Sequence, residues 1–376
     1  MICTGMFVSA QNWNQIPSNT LNNLNAIDFP STNVGYIVGD SSLILKTTDG
    51  GQTWNEISAT GISIPGLNPF IDVDFVTELH GFITTKHSGV FETADGGFNW
   101  TAVSLASGQC FPSTFYIDSS DHFFVGGAGC FQGAMMDEFT SGTWTIPLLN
   151  AMLLDNAETI MEIDFGDDNT GLAVVHNDLV FRTVDGGTTW DTISTALSPT
   201  GFLTSVKMVD NLVAYAGYDE GGGGFGILKT VDGGLTWLEE LNSATFYYPS
   251  YNCVEIASNG DVYSGATPSS SPGGLIFETV DGVNWIYEIT DQSINEMASY
   301  GDDVTFAVGD SGYIVVNVLP VTLDVDNVDY NNLKVYPNPA QDKITLQLIL
   351  ADESKLKVIS TAGKEIPVKI TQFNGT

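Results

Sequence analysis

Apolar residues in this chain fall in short runs separated by glycine, asparagine, serine and aspartate. Examples are Tyr36-Ile37-Val38, Leu43-Ile44-Leu45 and Leu179-Val180-Phe181. Runs this short, rich in β-branched and aromatic side chains and ended by turn residues, predict strands. Several of them lead straight into Asp-Gly, the strongest short-range signal for a hairpin. The 40 glycines have no collagen-like period and are expected in the turns that join these strands.

The strand-and-turn pattern repeats. The stretch from Lys46 to Trp54 (KTTDGGQTW) recurs from Glu92 to Trp100 (ETADGGFNW), from Arg182 to Trp190 (RTVDGGTTW) and from Lys229 to Trp237 (KTVDGGLTW). A copy one residue shorter runs from Glu278 to Trp285 (ETVDGVNW), and at Ser141-Gly142-Thr143-Trp144 the aspartate has been lost. All seven tryptophans of the chain take part: Trp13, Trp54, Trp100, Trp144, Trp190, Trp237 and Trp285 follow one another at 41, 46, 44, 46, 47 and 48 residues. A period in the forties signals a solenoid or a propeller. Upstream of the boxes, Asp28-Phe29, Asp74-Phe75 and Asp164-Phe165 each precede a glycine (Gly35, Gly81, Gly171) by the same step. Each unit then supplies four short antiparallel strands, which is one propeller blade.

The expected roles follow from the chemistry of the unit. Asp49, Asp95, Asp185, Asp232 and Asp281 can accept backbone N–H groups within their own turns, and the following glycines take positive φ without steric cost. The indoles of Trp54, Trp100, Trp190, Trp237 and Trp285 are large enough to fill the space between packed sheets. These ten residues are therefore read as structural. The last unit, Val304 to Val316, ends at Leu319-Pro320 with no box or tryptophan of its own. The missing strand lies at the other end, around Trp13, so the fold expected is an all-β, seven-bladed propeller closed by its N-terminal strand. Six blades would leave one tryptophan strand without a partner.

Charge and composition narrow the functional classes. Eleven Lys and Arg against 45 Asp and Glu give a net charge of −34, a field that repels phosphate backbones and excludes nucleic acid as a partner. No apolar stretch approaches the eighteen or so residues of a membrane-spanning helix. Residues 1–10 are apolar and end in Val8-Ser9-Ala10 before Gln11, the small-residue pattern of a signal-peptidase cut, so they are read as the remnant of a signal peptide. Cys110 and Cys130 fall in one repeat, where two strands of a blade can bring them together, and a disulfide is predicted between them; Cys3 and Cys253 are left unpaired.

The propeller is expected over 11–319, with a linker over 320–332. From 333 to 376 the style changes to Leu333-Lys334-Val335-Tyr336-Pro337-Asn338-Pro339, then alternating strands and Gly363-Lys364, and six of the eleven basic residues lie here. Alternating strands with proline and glycine turns read as part of a small β-sandwich.

The boxes resemble the Asp-box (BNR) repeat family, and the KTxDGGxTW units most resemble the photosystem II assembly and stability factor-like propellers. The VYPNP segment is similar to the type A sorting domain of the Bacteroidetes type IX secretion system. The second half of that family pattern, a Gly-Val-Tyr strand and a basic tail, has no counterpart before Asn374-Gly375-Thr376. The resemblance implies export to the medium or the outer-membrane surface of a Gram-negative bacterium, with residues 333–376 as the segment the secretion machinery reads. A monomer is expected.

Sialidase activity, the sharpest enzymatic reading of Asp-box repeats, needs an arginine triad on the substrate carboxylate, and this chain has one arginine, Arg182. Carboxylate pairs for another glycoside hydrolase, such as Asp72 with Asp74 or Asp167 with Asp168, belong to repeated strand positions or to turns. No cofactor is predicted. Calcium at Asp167-Asp168-Asn169 or Asp219-Glu220-Gly221 lacks an EF-hand pattern to support it, and His80, His87, His122 and His176 are scattered. The remaining reading is a non-catalytic binding module for a glycan or protein, with Phe246, Tyr247, Tyr248 and Tyr251 as candidate stacking residues; a polysaccharide-acting hydrolase or lyase is the alternative. For the disulfide, alkylation after reduction should add two more labels per chain, read by intact mass, than alkylation without reduction; equal labelling removes the bridge.

Overall fold

The computed structural model describes residues 7–8, 13–62, 69–86, 89–107, 109, 111–119, 122–129, 133–150, 159–196, 201–219, 225–242, 249–268, 273–301 and 304–318, with 334–336, 345–347, 358–359 and 365–366 beyond them. The chain divides into two units, 1–317 and 318–376. The first is a ring of seven four-stranded antiparallel sheets. Blades 1 to 6 run from Leu24 to Glu56, Phe70 to Val103, Phe111 to Thr145, Ile160 to Ser194, Phe202 to Asn242 and Pro249 to Thr290. Blade 7 takes three strands from the end of the propeller, Ile294–Tyr300, Val304–Gly309 and Tyr313–Val318, and its outermost strand from the beginning, Trp13–Gln15. Trp13 pairs antiparallel with Asn317 and Gln15 with Val315. The ring is therefore closed as the tryptophan count predicts, and blade 7 is left without an open edge there.

The first strand of each blade lies innermost, and successive inner strands contact one another around the whole circle. Blades 4 and 6 carry a fifth strand on the outside, Leu148–Asn150 and Phe7–Val8, each parallel to its neighbour. In the second unit two short antiparallel ladders are formed, Lys334–Tyr336 with Thr345–Gln347 and Val358–Ile359 with Glu365–Ile366.

Local chemistry explains each turn. In the first box Asp49 accepts from the backbone N–H of Thr53 (2.9 Å) and from its hydroxyl (2.6 Å), while Thr47 Oγ1 donates to Asp49 (2.7 Å) and accepts from the N–H of Gly51 (2.9 Å). Gly51 has φ +78°, and a Cβ there would lie 2.3 Å from the ring of Phe306 on blade 7, so both conformation and space demand glycine. The same carboxylate pattern recurs at Asp95 with Asn99, Asp185 with Thr189, Asp232 with Thr236 and Asp281 with Asn284.

Each tryptophan that ends a unit packs against the preceding blade. Trp54 sits among Phe306, Val308 and Ile314 of blade 7, Trp190 meets Phe124 of blade 3, and Trp285 joins Tyr215, Phe225 and Ile227 of blade 5. One apolar cluster fills each of the seven interfaces between blades. Polar latches join the blades outside these clusters. Lys46 Nζ donates to the carbonyl of Gly96 in the next blade's box (3.1 Å), Arg182 Nε does the same to Gly233 (2.6 Å), and the Lys229 ammonium lies against Gly282. Where the next blade has no box, as after blades 2 and 6, the same position holds an acid, Glu92 or Glu278.

Trp54→Ala should cost about 3–5 kcal/mol, the range for deleting a buried indole, as measured by denaturant unfolding. A chain beginning at Ile16 should be nicked by protease within 294–318 before anywhere else, while one beginning at Gln11 resists; equal resistance would show that the N-terminal strand does not hold the ring.

Candidate functional site

The seven inner strands enclose a central cavity of about 680 Å³. Its wall is acidic. Blade 1 contributes Asp28, blade 2 Asp72 and Asp74, blade 4 Glu162, blade 6 Glu255 and blade 7 Glu296. Blade 3 presents Ser113, Thr114 and Phe115, and blade 5 presents Thr204, Ser205 and Lys207. Asp40 and Asp310, in matching one-turn 3-10 elements of blades 1 and 7, also line it, together with Lys86.

Many of these side chains serve the ring itself. An inner strand is hydrogen-bonded to its own blade along one edge only, so its free N–H and C=O groups need partners. Asp28 accepts from the N–H of Phe75 (2.8 Å) and Asp72 from that of Phe115 (2.9 Å), each on the following blade. Glu162 and Asp164 accept from Val206 and Met208, and Glu255 from Ser299 (2.9 Å). Asn25 and Asn295 donate to the carbonyls of Phe70 and Leu24 (2.7 and 2.9 Å). Asp74 occupies the repeat position of Asp28 and Asp164, but among the described residues no N–H of blade 3 reaches it. One position of the repeat thus does two different things.

Lys207 Nζ lies 2.9 Å from Glu162 Oε1, and Asp164, Glu255 and Glu296 add to the field that holds its ammonium well above the ordinary lysine value despite its partial burial. The carboxyl groups move the other way. Enclosure within the protein pushes Asp28, Asp72 and Glu255 up to about 7 and Asp164 to about 6, and it raises Asp74 and Glu296 well above the ordinary carboxyl value. Repulsion from Asp74 adds to the shift of Asp72, and repulsion from Asp28 to that of Asp74.

Of the residues singled out in the sequence, Asp72 and Asp74 line this cavity, while most of the others lie elsewhere. The box aspartates are at the turns of the blades. Phe246, Tyr247 and Tyr248, and the cysteines Cys110 and Cys130, fall outside the described residues; Tyr251 lies in the inner strand Pro249–Ile256. Cys253 is a free, buried thiol. Asp167 caps its own turn through the N–H groups of Asn169 and Thr170 and accepts from Asn211 of blade 5. His80 and His122 contact Glu92 and Glu138, and His176 stacks on Phe202. Among the described residues no three His, Cys, Asp or Glu are grouped to hold a metal ion. Lys207 and the acids around it were missed because nothing local marks them; the available signal was an ionisable residue on the inner strand of unit after unit.

These shifts give the stability a definite sign with pH. An acid whose folded value is raised binds protons more tightly in the folded state, so its contribution is present at low pH and is lost as pH rises from about 4 towards 7. The box acids Asp49 and Asp95 are instead lowered, chiefly by side-chain hydrogen bonds from Thr53 and Asn99, and their contribution is lost below the ordinary carboxyl value. The melting temperature should peak near pH 4–5 and decline towards pH 8, with Asp72→Asn flattening the decline. A profile that rises to pH 7 would contradict this assignment.

Two family models match the sequence: that of the photosynthesis system II assembly factor YCF48 over residues 6–66, and that of a secretion system C-terminal sorting domain over residues 334–376. No curated protein matches it. Among solved structures, YCF48 bound to D1 peptide superposes with a TM-score of 0.65 at 15% identity, covering 84% of this chain and 99% of that one. YCF48 from Cyanidioschyzon merolae gives 0.62 at 16%, covering 82% and 98%. An ancestral GH74 enzyme gives 0.60 at 14%, covering 82% of this chain and 46% of the enzyme. At such identities the likeness to these structures is one of fold. The sorting-domain match implies secretion or attachment at the cell surface. The chain is a seven-bladed propeller that resembles the YCF48 assembly-factor family in its repeats and ends in a secretion sorting domain.

Proposed function

We propose that this protein is an exported, non-catalytic binding module that takes its ligand in the central channel, with a protein segment favoured over a glycan. The observation that carries this reading is the wall of the cavity. It offers about 680 Å³ lined by all seven blades, yet Asp28, Asp72, Glu162 and Glu255 each hold a strand of the neighbouring blade. A carboxylate tied to a backbone N–H is poorly placed to shuttle protons to a substrate, whereas such a wall is rigid and suited to recognition. The solved YCF48 complex with D1 peptide supports a peptide as the ligand class that this architecture accommodates.

A polysaccharide-acting hydrolase or lyase is the second reading. It is favoured by one observation: carboxyl groups raised to about 7 are what a general acid requires, and Asp72 and Glu255 have that property. Immobilised full-length protein should capture members of a peptide library or a glycan array saturably, and Met161→Trp, which fills the channel, should abolish capture without lowering the melting temperature by more than a few degrees. Release of sugar products from a polysaccharide panel, lost in a channel carboxylate variant, would overturn the binding reading in favour of the enzyme.

A further inference from the structure

The outer edges of three blades are covered by short extended segments that lie outside the four-stranded repeat. At blade 2 the N–H of Thr60 donates to the carbonyl of Phe98, and the N–H of Trp100 donates to the carbonyl of Thr60, both at 2.9 Å. At blade 4, Leu148–Asn150 runs parallel to the strand that carries Trp190. Both segments come from the long links into their blades, residues 57–69 and 146–159. The link into blade 6, residues 243–248, is less than half that length, and there Phe7–Val8 takes the place by pairing with Ile286 and Tyr287. An outermost strand of this ring is thus a seat for one more parallel strand.

The seat on blade 6 differs from the other two, because its occupant precedes the signal-peptidase cut read after Ala10. Loss of residues 1–10 leaves Ile286–Thr290 with no further strand outside it among the described residues. The side of this edge that faces blade 5 is apolar. Tyr287 and Ile289 pair with Phe277 and Leu275, which belong to the cluster between blades 5 and 6. On blade 5, Leu238 pairs with Lys229, whose ammonium lies against Gly282 of blade 6. Neighbouring blades diverge towards the rim, so Leu238 and Ile289 stand on facing sides of one crevice and are left 69% and 67% exposed.

We propose that removal of residues 1–10 opens the outer edge of blade 6 to an extended segment of a partner polypeptide, apolar and flanked by lysine, which adds there as a parallel strand. The seat itself indicates this chemistry. Main-chain N–H and C=O groups of the edge pair with an extended backbone, and alternate side chains of the added strand lie over the crevice between Leu238 and Ile289, where an apolar residue fits. A net charge of −34, with Glu239 and Glu240 next to Leu238, favours lysine on either side and disfavours a second copy of the chain. Until the cut is made, Phe7–Val8 keeps a strand edge from pairing with other chains. This site is separate from the channel and does not depend on what the channel binds.

The test compares two full-length forms, one beginning at Met1 and one at Gln11, by fluorescence anisotropy in about 0.15 M NaCl, where weak surface attraction is screened. The probe is a labelled, blocked peptide, Lys-Gly-Met-Phe-Val-Ser-Ala-Lys, built on residues 5–10. Saturable binding of one peptide per chain is expected for the Gln11 form, and at least tenfold weaker binding for the Met1 form. Ile289→Lys in the Gln11 form should weaken binding at least tenfold, whereas Leu79→Lys, which adds the same charge at an exposed leucine of blade 2, should not. Ile289 is mostly exposed, so the melting temperature should hold and a loss of binding is not a loss of fold. Proline at the Val8 position of the peptide, which removes a main-chain donor, should abolish binding, and Met161→Trp in the channel should leave it unchanged. Equal binding by the two forms, equal binding in Ile289→Lys, or loss of binding in Met161→Trp would overturn the site. Dimers of the Gln11 form in light scattering would make a second copy the occupant, and an exported protein that retains residues 1–10 would show that the edge never opens; either result removes the proposal.

Discussion

Each blade of this ring is a small sheet with two apolar faces, and neither is buried unless a neighbour stands on both sides. That requirement governs the rest of the molecule. A linear stack would expose two terminal faces to water, so the stack bends into a circle and the last interface must be made by the first residues of the chain. The Trp13–Gln15 strand meets that need by pairing with Tyr313–Val318, and Trp13 packs edge-on against Tyr263 of blade 6 at 5.9 Å. The apolar clusters between blades are seven instances of one solution, each combining a tryptophan from one unit with aromatic and β-branched residues of the unit before it.

Closing a ring of sheets creates a second problem at the centre. The innermost strands bring seven rows of half-satisfied backbone groups around a narrow space. Carboxylates and amides on these strands reach sideways to the next blade and satisfy part of that demand, which accounts for acids in so enclosed a place. Enclosure then raises their carboxyl groups, since water no longer solvates the charged form well. Stability and charge are thereby linked: the acids that join the blades favour a mildly acidic solution, while the acids in the box turns are content to stay ionised.

The outer latches show how local sequence can carry tertiary information. Lys46, Arg182 and Lys229 stand before boxes whose neighbouring blade offers a box carbonyl, and Glu92 and Glu278 stand where the neighbour has none. A cation is useful at that position only if an oxygen lies opposite. Substitution at one residue thus follows the structure of a unit more than forty positions away.

What the sequence determined by itself was everything that depends on short range or on counting. Asp-Gly and the strand runs define the turns, the Asp-Phe-to-Gly step marks the paired inner strands, and the tryptophan period sets the number of blades and the need for a closing strand. These signals are legible because a hairpin and its capping carboxylate are made by residues four positions apart. The tertiary structure alone decided what the inner acids do. Asp28, Asp74 and Asp164 are equivalent in the repeat, yet Asp28 and Asp164 hold the next blade and Asp74 faces the cavity with no such partner among the described residues. The role of each depends on which N–H groups and charges the facing blades present, and those come from residues separated by one or several whole repeats. Lys207 is isolated in the sequence, and only closure of the ring surrounds it with carboxylates from several blades.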